Sequence, residues 1–172
     1  MNLMCVRRFN PRDVEQLTTL FHLSVTQGAS SHYSVEERAV WSASPRSHQN
    51  WLTRLQPTTT WVAEEGSVIT GFINLKPAQL KLQSDNKEWL CADIDCLFSH
   101  PEFTGRGVAT ALYKGLEEFA VAEQIRELTV EASFLAKPFF EKQGYEVLSK
   151  NQHPRAGQVL VNFSMHKILT MV

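Results

Sequence analysis

Cysteine is scarce in this sequence: Cys5, Cys91 and Cys96 are the three thiols among 172 residues. An odd number without paired-motif spacing excludes a disulfide framework and points to reduced thiols. Cys91 and Cys96 lie five apart on one expected strand, so simple alternation sends them to opposite faces and they would not share a metal. An excess of either charge is missing too, with 17 Lys and Arg against 18 Asp and Glu, which leaves no broad basic face for nucleic acid. No run approaches the roughly 20 apolar residues that a bilayer crossing needs. The opening MNLMCVRRFNPRD lacks the apolar core of a secretory signal. A cytoplasmic protein without nucleic-acid or membrane partners is expected, as a monomer or homodimer. Repeats, low-complexity runs and Gly/Ser linkers are absent as well, so residues 1–172 are read as one domain.

What is present is a change of hydrophobic period along the chain. Residues 2–8 alternate weakly and read as a strand. Asn10-Pro11 is a helix start, and Val14, Leu17, Phe21 and Val25 follow helical spacing toward Gly28. Ser34 and Glu37 have capping-box spacing ahead of a second helix, and a third short helix is expected around Ser47–Leu55. From residue 59 the pattern becomes that of strands: TTWVAEE and SVITGFINLK as a hairpin, then Trp89–Ser99. A helix at 107–122, a strand at Glu127–Ala132, a helix at 134–142, and strands at Tyr145–Leu148 and Gln158–Met165 complete the chain. The order β-α-α-β-β-β-α-β-α-β-β implies an α/β fold with a mixed sheet, because a helix between two strands makes them a candidate parallel pair.

The chemically informative stretch is the exit of the strand ending at Ser99. Gly105, Arg106 and Gly107 form a turn that enters an amphipathic helix at Val108. Glycines permit positive φ and close backbone approach, and a helix mouth offers free N–H groups to a phosphate. Arg106 would add a cation at the rim. The spacing is neither that of a dinucleotide fingerprint nor that of a P-loop. His22, His32, His48, His153 and His166 occur singly, without ligand spacing, so no metal site is expected.

Thr104-Gly105-Arg106-Gly107-Val108-Ala109 resembles the pyrophosphate loop of the GNAT superfamily of N-acetyltransferases, Gln/Arg-x-x-Gly-x-Gly/Ala, with threonine at the first position. Ser133-Phe134-Leu135-Ala136, and then Phe140-Glu141-Lys142-Gln143-Gly144-Tyr145, follow that family's Asn-x-x-Ala and Tyr-Glu-Lys-x-Gly-Phe frame, with Ser133, Phe140 and Tyr145 as departures. The resemblance implies a GNAT-like fold in which the strands at 89–99 and 127–132 splay apart. It also implies acetyl-CoA as cofactor, its pantetheine arm lying in the gap against the backbone of Leu97, Phe98 and Ser99. Gly105, Arg106, Gly107, Val108, Ala109 and Thr110 would hold the pyrophosphate, with Ser133 and Phe140 also beside the cofactor.

Transfer of acetyl to an amine needs a neutral nucleophile, and alkyl amines with pKa near 10.4 are mostly charged at neutral pH. Asp93 and Asp95 share a strand face upstream of the expected thioester position. Asp93 falls where some family members carry a general-base glutamate. Both aspartates are equally readable as partners of buried arginines or as attractors of a cationic substrate; Glu131 is a third candidate. Phe140 stands where relatives often place a tyrosine acid, which leaves Tyr145 and Ser133 as alternative donors, or as a core tyrosine and a strand-end cap. Tyr33, Trp41 and Glu131 are the expected contacts of a small-molecule amine, with direct attack in a ternary complex. A protein or peptide acceptor, and a non-catalytic acyl-CoA sensor, are the rival readings.

Overall fold

Asn10 turns the chain from strand to helix: its side chain accepts the Arg12 N–H at 3.0 Å, and Asp13 reaches back to the Asn10 N–H at 2.7 Å. Ser34 and Glu37 close the second helix start in the same reciprocal way, at 3.1 and 2.8 Å. The computed structural model describes residues 3–171. Its elements are β1 (Met4–Arg8), α1 (Val14–Leu23), α2 (Val35–Trp41), α3 (His48–Leu55), β2 (Thr59–Glu65), β3 (Val68–Leu75), β4 (Gln79–Leu82) and β5 (Glu88–Ser99). There follow α4 (Val108–Ala122), β6 (Ile125–Ser133), α5 (Lys137–Lys142), β7 (Glu146–Arg155) and β8 (Gln158–Ile168).

The strands form one mixed sheet in the order β1-β2-β3-β5-β6-β8-β7, with β4 paired to the start of β5. Only β5 and β6 pair in parallel; the other pairings are antiparallel. One face packs Trp61, Ile73, Leu75, Leu128 and Phe140 against Leu112 and Leu116 of α4. The other packs Val62, Phe72 and Cys96 against Leu17 and Phe21 of α1 and Trp51 of α3. Helices α1 and α3 are thereby held on one face of the sheet and α4 on the other.

Three features depart from the sequence reading. The short β4 was not expected; its four residues are all exposed, so no apolar alternation marks it. β7 runs to Arg155 instead of ending at Leu148, because it is an edge strand with almost no buried residue, and Pro154 is tolerated there. Cys91 and Cys96 project to the same face. Leu75 pairs with Ile94 and Asn74 with Cys96, so Asp95 is an extra residue that reverses the alternation beyond it.

Candidate active site

β5 and β6 pair from Leu90 and Ile125 to Ile94 and Val130, and there the ladder stops. Beyond that vertex β5 continues to Ser99 against β3, while β6 continues to Ser133 against β8. The Cys96 and His100 N–H groups turn toward β3, reaching Asn74 Oδ1 and Thr70 O at 2.8 Å each. Strand alternation therefore directs the backbone groups of Leu97 and Ser99 into the gap, where no strand meets them. A cleft of about 460 Å³ opens here, with Leu97, Phe98, Ala132 and Ser133 on its two arms and Phe140 behind.

At the far end of β5 the chain makes the glycine turn. Gly105 and Gly107 have φ of +77° and +80°, and a Cβ on either would meet nothing within 4 Å. Positive φ explains why glycine is needed, and the open space leaves the backbone accessible. α4 begins immediately after Gly107 with no side-chain cap, so the Val108, Ala109 and Thr110 N–H groups lack intrahelical partners. Gly71 sets the height of this helix: a Cβ there would stand 2.5 Å from Val108 Cγ1 and 3.0 Å from the Phe98 carbonyl oxygen. Arg106 differs from expectation, since its guanidinium is engaged by Glu65 at 2.8 Å and lies over the Phe103 ring. The cradle is therefore mainly backbone.

The acid–base candidates separate. Asp95 lines the cleft at the vertex, gripped by Arg54 at 2.9 and 3.0 Å. Burial acts to raise its carboxyl, but Arg54 and Asn74 outweigh it and hold the group below the usual carboxylate range. Asp93 is not brought to the cleft. It pairs with Lys76 and accepts from Thr129, both at 2.9 Å, and lines a neighbouring cavity of about 430 Å³. Tyr145 is not brought there either: it is buried between α4 and α5, where its hydroxyl accepts from Tyr113 at 3.3 Å. Ser133 lines the cleft, and its hydroxyl accepts the Ala136 N–H at 3.1 Å.

Tyr33, Trp41 and Glu131 all line the same cleft. The Tyr33 hydroxyl accepts the Phe134 N–H at 2.9 Å, and burial pushes its pKa up, so the phenol keeps its proton. Trp51, by contrast, is core, 1% exposed against Phe21 and Phe72. Sequence reasoning missed Arg46 and Arg54, which come from and just before α3, and His153 and Arg155 of the β7–β8 hairpin. Nothing in their spacing could have found them, since it is the tertiary fold that brings them to the vertex. Among the described residues no cluster of His, Cys, Asp and Glu could hold a metal ion, and no helix is long and apolar enough to cross a membrane.

Residues 29–167 match the family model for the acetyltransferase (GNAT) domain. The chain belongs to the GNAT acetyltransferase family. It is 34% identical over 165 residues to the uncharacterized N-acetyltransferase YafP of Escherichia coli (strain K12), with 96% of each chain covered. A solved GCN5-related N-acetyltransferase from Rhodopseudomonas palustris shares the fold with a TM-score of 0.82 and 31% identity, over 98% of both chains. The PaiA N-acetyltransferase of Thermoplasma acidophilum, solved with coenzyme A, has a TM-score of 0.71 at 20% identity, over 97% of this chain and 99% of that one. This GNAT protein is accordingly an acyltransferase dependent on acetyl-CoA, and the cleft fits that group. An extended arm bearing amides can pair with Leu97 and Ser99, and a diphosphate with the α4 mouth.

Proposed function

We propose that this GNAT enzyme acetylates the amine of a small molecule held over the vertex between β5 and β6, by direct attack in a ternary complex. The observation that carries the reading is the end of the parallel ladder at Ile94 and Val130, with backbone groups turned into a half-open cleft and a glycine turn following the same strand. Tyr33, Trp41 and Arg46 wall this cleft on the helical side, and His153 and Asn162 of the β7–β8 hairpin wall the other. A walled pocket favours a small acceptor over a folded protein surface.

Acetyl-CoA supplies an activated acyl carbon: the amine nitrogen bonds to it as the carbon–sulfur bond breaks, the amine gives up one proton, and the sulfur takes one. The chain's own part is positioning and charge. Glu131 draws the ammonium form of the acceptor to the vertex, and water beside its carboxylate carries off the extra proton that the ammonium must lose before its neutral nitrogen attacks. The Leu97 N–H stands ready to donate to an oxyanion. Tyr33 Oη, engaged as an acceptor by Phe134, retains its own proton as the cleft's source for a departing thiolate, the task Phe140 lacks the group to perform. Cys91 and Cys96 stay outside this scheme. Burial, then the Glu127 carboxylate, pushes the Cys91 thiol up to about 11, and burial pushes Cys96 up to about 12.

The test is release of free thiol from acetyl-CoA across a panel of polyamines, amino acids, aminoglycosides and arylamines. Release that depends on one class of amine is the expected result. Tight coenzyme A binding with no release from any amine would replace the enzyme reading with an acyl-CoA sensor.

A further inference from the structure

Arg46, just before α3, reaches into the cleft with its guanidinium 4.7 Å from the Phe21 ring centroid and 5.7 Å from that of Trp51. Among the described residues it forms no ion pair and donates no hydrogen bond. The other cleft arginine of this segment, Arg54, is held in a bidentate pair by Asp95. A half-buried guanidinium has five donors and has lost part of its hydration, so an empty fork there is unfavourable unless a ligand supplies the acceptor. Burial and the neighbouring Arg54 push its pKa down, and the pull of Asp95, itself taken by Arg54, does not offset them.

We infer that the acceptor amine also carries an oxyanion, a carboxylate or phosphonate, and that Arg46 seats it. The inference deepens the proposed reaction and rests on it. Two further observations direct Arg46 to the acceptor and not to the cofactor's phosphates. Arg46 lies near Asp95 and Cys96, within β5, whereas the glycine cradle follows Ser99, so four strand residues, roughly 13 Å, separate the two regions. On the opposite arm, Glu131 follows the last paired residue of β6, and its oxygens are held by Ser164 at 2.8 and 3.0 Å and Asn151 at 3.1 Å, with no cation among the described residues. The vertex thus presents, on opposite sides, one cation and one carboxylate that form no ion pair among the described residues, complementary to a molecule with an oxyanion and an ammonium. Arg155, also in the cleft lining, is exposed at the hairpin end, so its guanidinium keeps more of its hydration than Arg46.

The experiment compares kcat/KM for four matched acceptor sets: α-amino acids, aminoalkylphosphonates, the amino acid carboxamides, and the corresponding plain alkylamines. The wild type should prefer the anionic members, and the two anionic sets identify which oxyanion is used. Arg46→Met should reduce that preference by about tenfold or more through KM, the scale of a charged hydrogen bond; Arg46→Lys should restore part of it. Coenzyme A affinity of each variant, measured by calorimetry, verifies that the fold is retained. Equal use of amides and acids by the wild type, or an unchanged preference in Arg46→Met, would overturn the assignment while leaving acetyl transfer intact. Absence of thiol release from every acceptor would overturn the underlying reaction and this inference with it.

Discussion

Arg54 holds Asp95 with two parallel hydrogen bonds, Nε to Oδ2 at 2.9 Å and Nη2 to Oδ1 at 3.0 Å, at the one residue where β5 bulges away from β3. Asn74 adds a third contact to the same carboxylate at 3.3 Å and takes the next N–H of the strand. The helix that builds the acceptor side is thereby anchored to the vertex at which the parallel ladder ends. Asp95 is thus a positioning residue and a poor proton acceptor.

Asp95→Asn should lower stability at pH 7 by about 1–3 kcal/mol, less than a fully buried pair would lose because Arg54 is partly exposed. The folded carboxyl lies below the ordinary aspartate value of 3.8. Its stabilisation is therefore complete above that value and is lost as pH falls through the lower folded one. Urea unfolding of both proteins at pH 3 and pH 7 checks this; equal stability at pH 7 would contradict it.

Asp93→Asn should change kcat/KM by less than about threefold, because its Lys76 pair is half-exposed and outside the cleft. Glu131→Gln should instead raise the acceptor's KM. A tenfold loss in Asp93→Asn, concentrated at low pH, would return Asp93 to the chemistry.

Gly107→Ala and Gly107→Glu share the strain of a side chain at φ +80°, which costs about 1–2 kcal/mol. Only the glutamate places a negative charge at the helix mouth. Coenzyme A affinity should fall about 100-fold further in Gly107→Glu than in Gly107→Ala, and similar affinities would show that the diphosphate binds elsewhere.

Tyr33→Phe should lower kcat about tenfold or more while both KM values stay within about twofold, the signature of a lost proton donor. Amide exchange of Phe134 reports separately on the lost structural bond. An unchanged kcat would leave water as the acid.

Glu127 gives a further prediction away from the cleft. It is 3% exposed, yet Lys81, Trp89, Cys91 and His166 all direct donors at it. Burial opposes its charge, but His166, Cys91 and Trp89 prevail and bring the pKa down to about 2. Its stabilisation should persist above 4.5 and vanish as pH falls toward 2, so Glu127→Gln should flatten the acid limb of a melting-temperature profile. Parallel limbs in variant and wild type would contradict this.

Local chemistry made much of the fold readable. Capping at Asn10 and Ser34, helical spacing in α1 and α4, and the glycines at 105 and 107 are short-range signals, and each appears where the residues placed it. The edge strand β7 was cut short because exposed strands carry no apolar alternation, and the positive φ of Ala156 and Gly157, which makes its hairpin turn, is a weak signal with alanine first. The bulge at Asp95 depends on Asn74 standing in for a strand carbonyl, a contact across 22 positions that no local pattern encodes. The glycine turn and the uncapped helix mouth, being backbone on one continuous segment, were legible. On the opposite side Tyr33, Trp41 and Glu131 were legible as cleft residues, whereas Arg46 and Arg54 were not, because only the tertiary fold brings them there.

Residue-resolved amide hydrogen exchange, with and without coenzyme A, tests the central claim most directly. The account predicts at least tenfold slower exchange on binding at Leu97, Ser99 and Val108–Thr110, while already paired residues of β5 such as Ala92 stay unchanged. Saturating coenzyme A that leaves those five amides exchanging as in the free protein would contradict it.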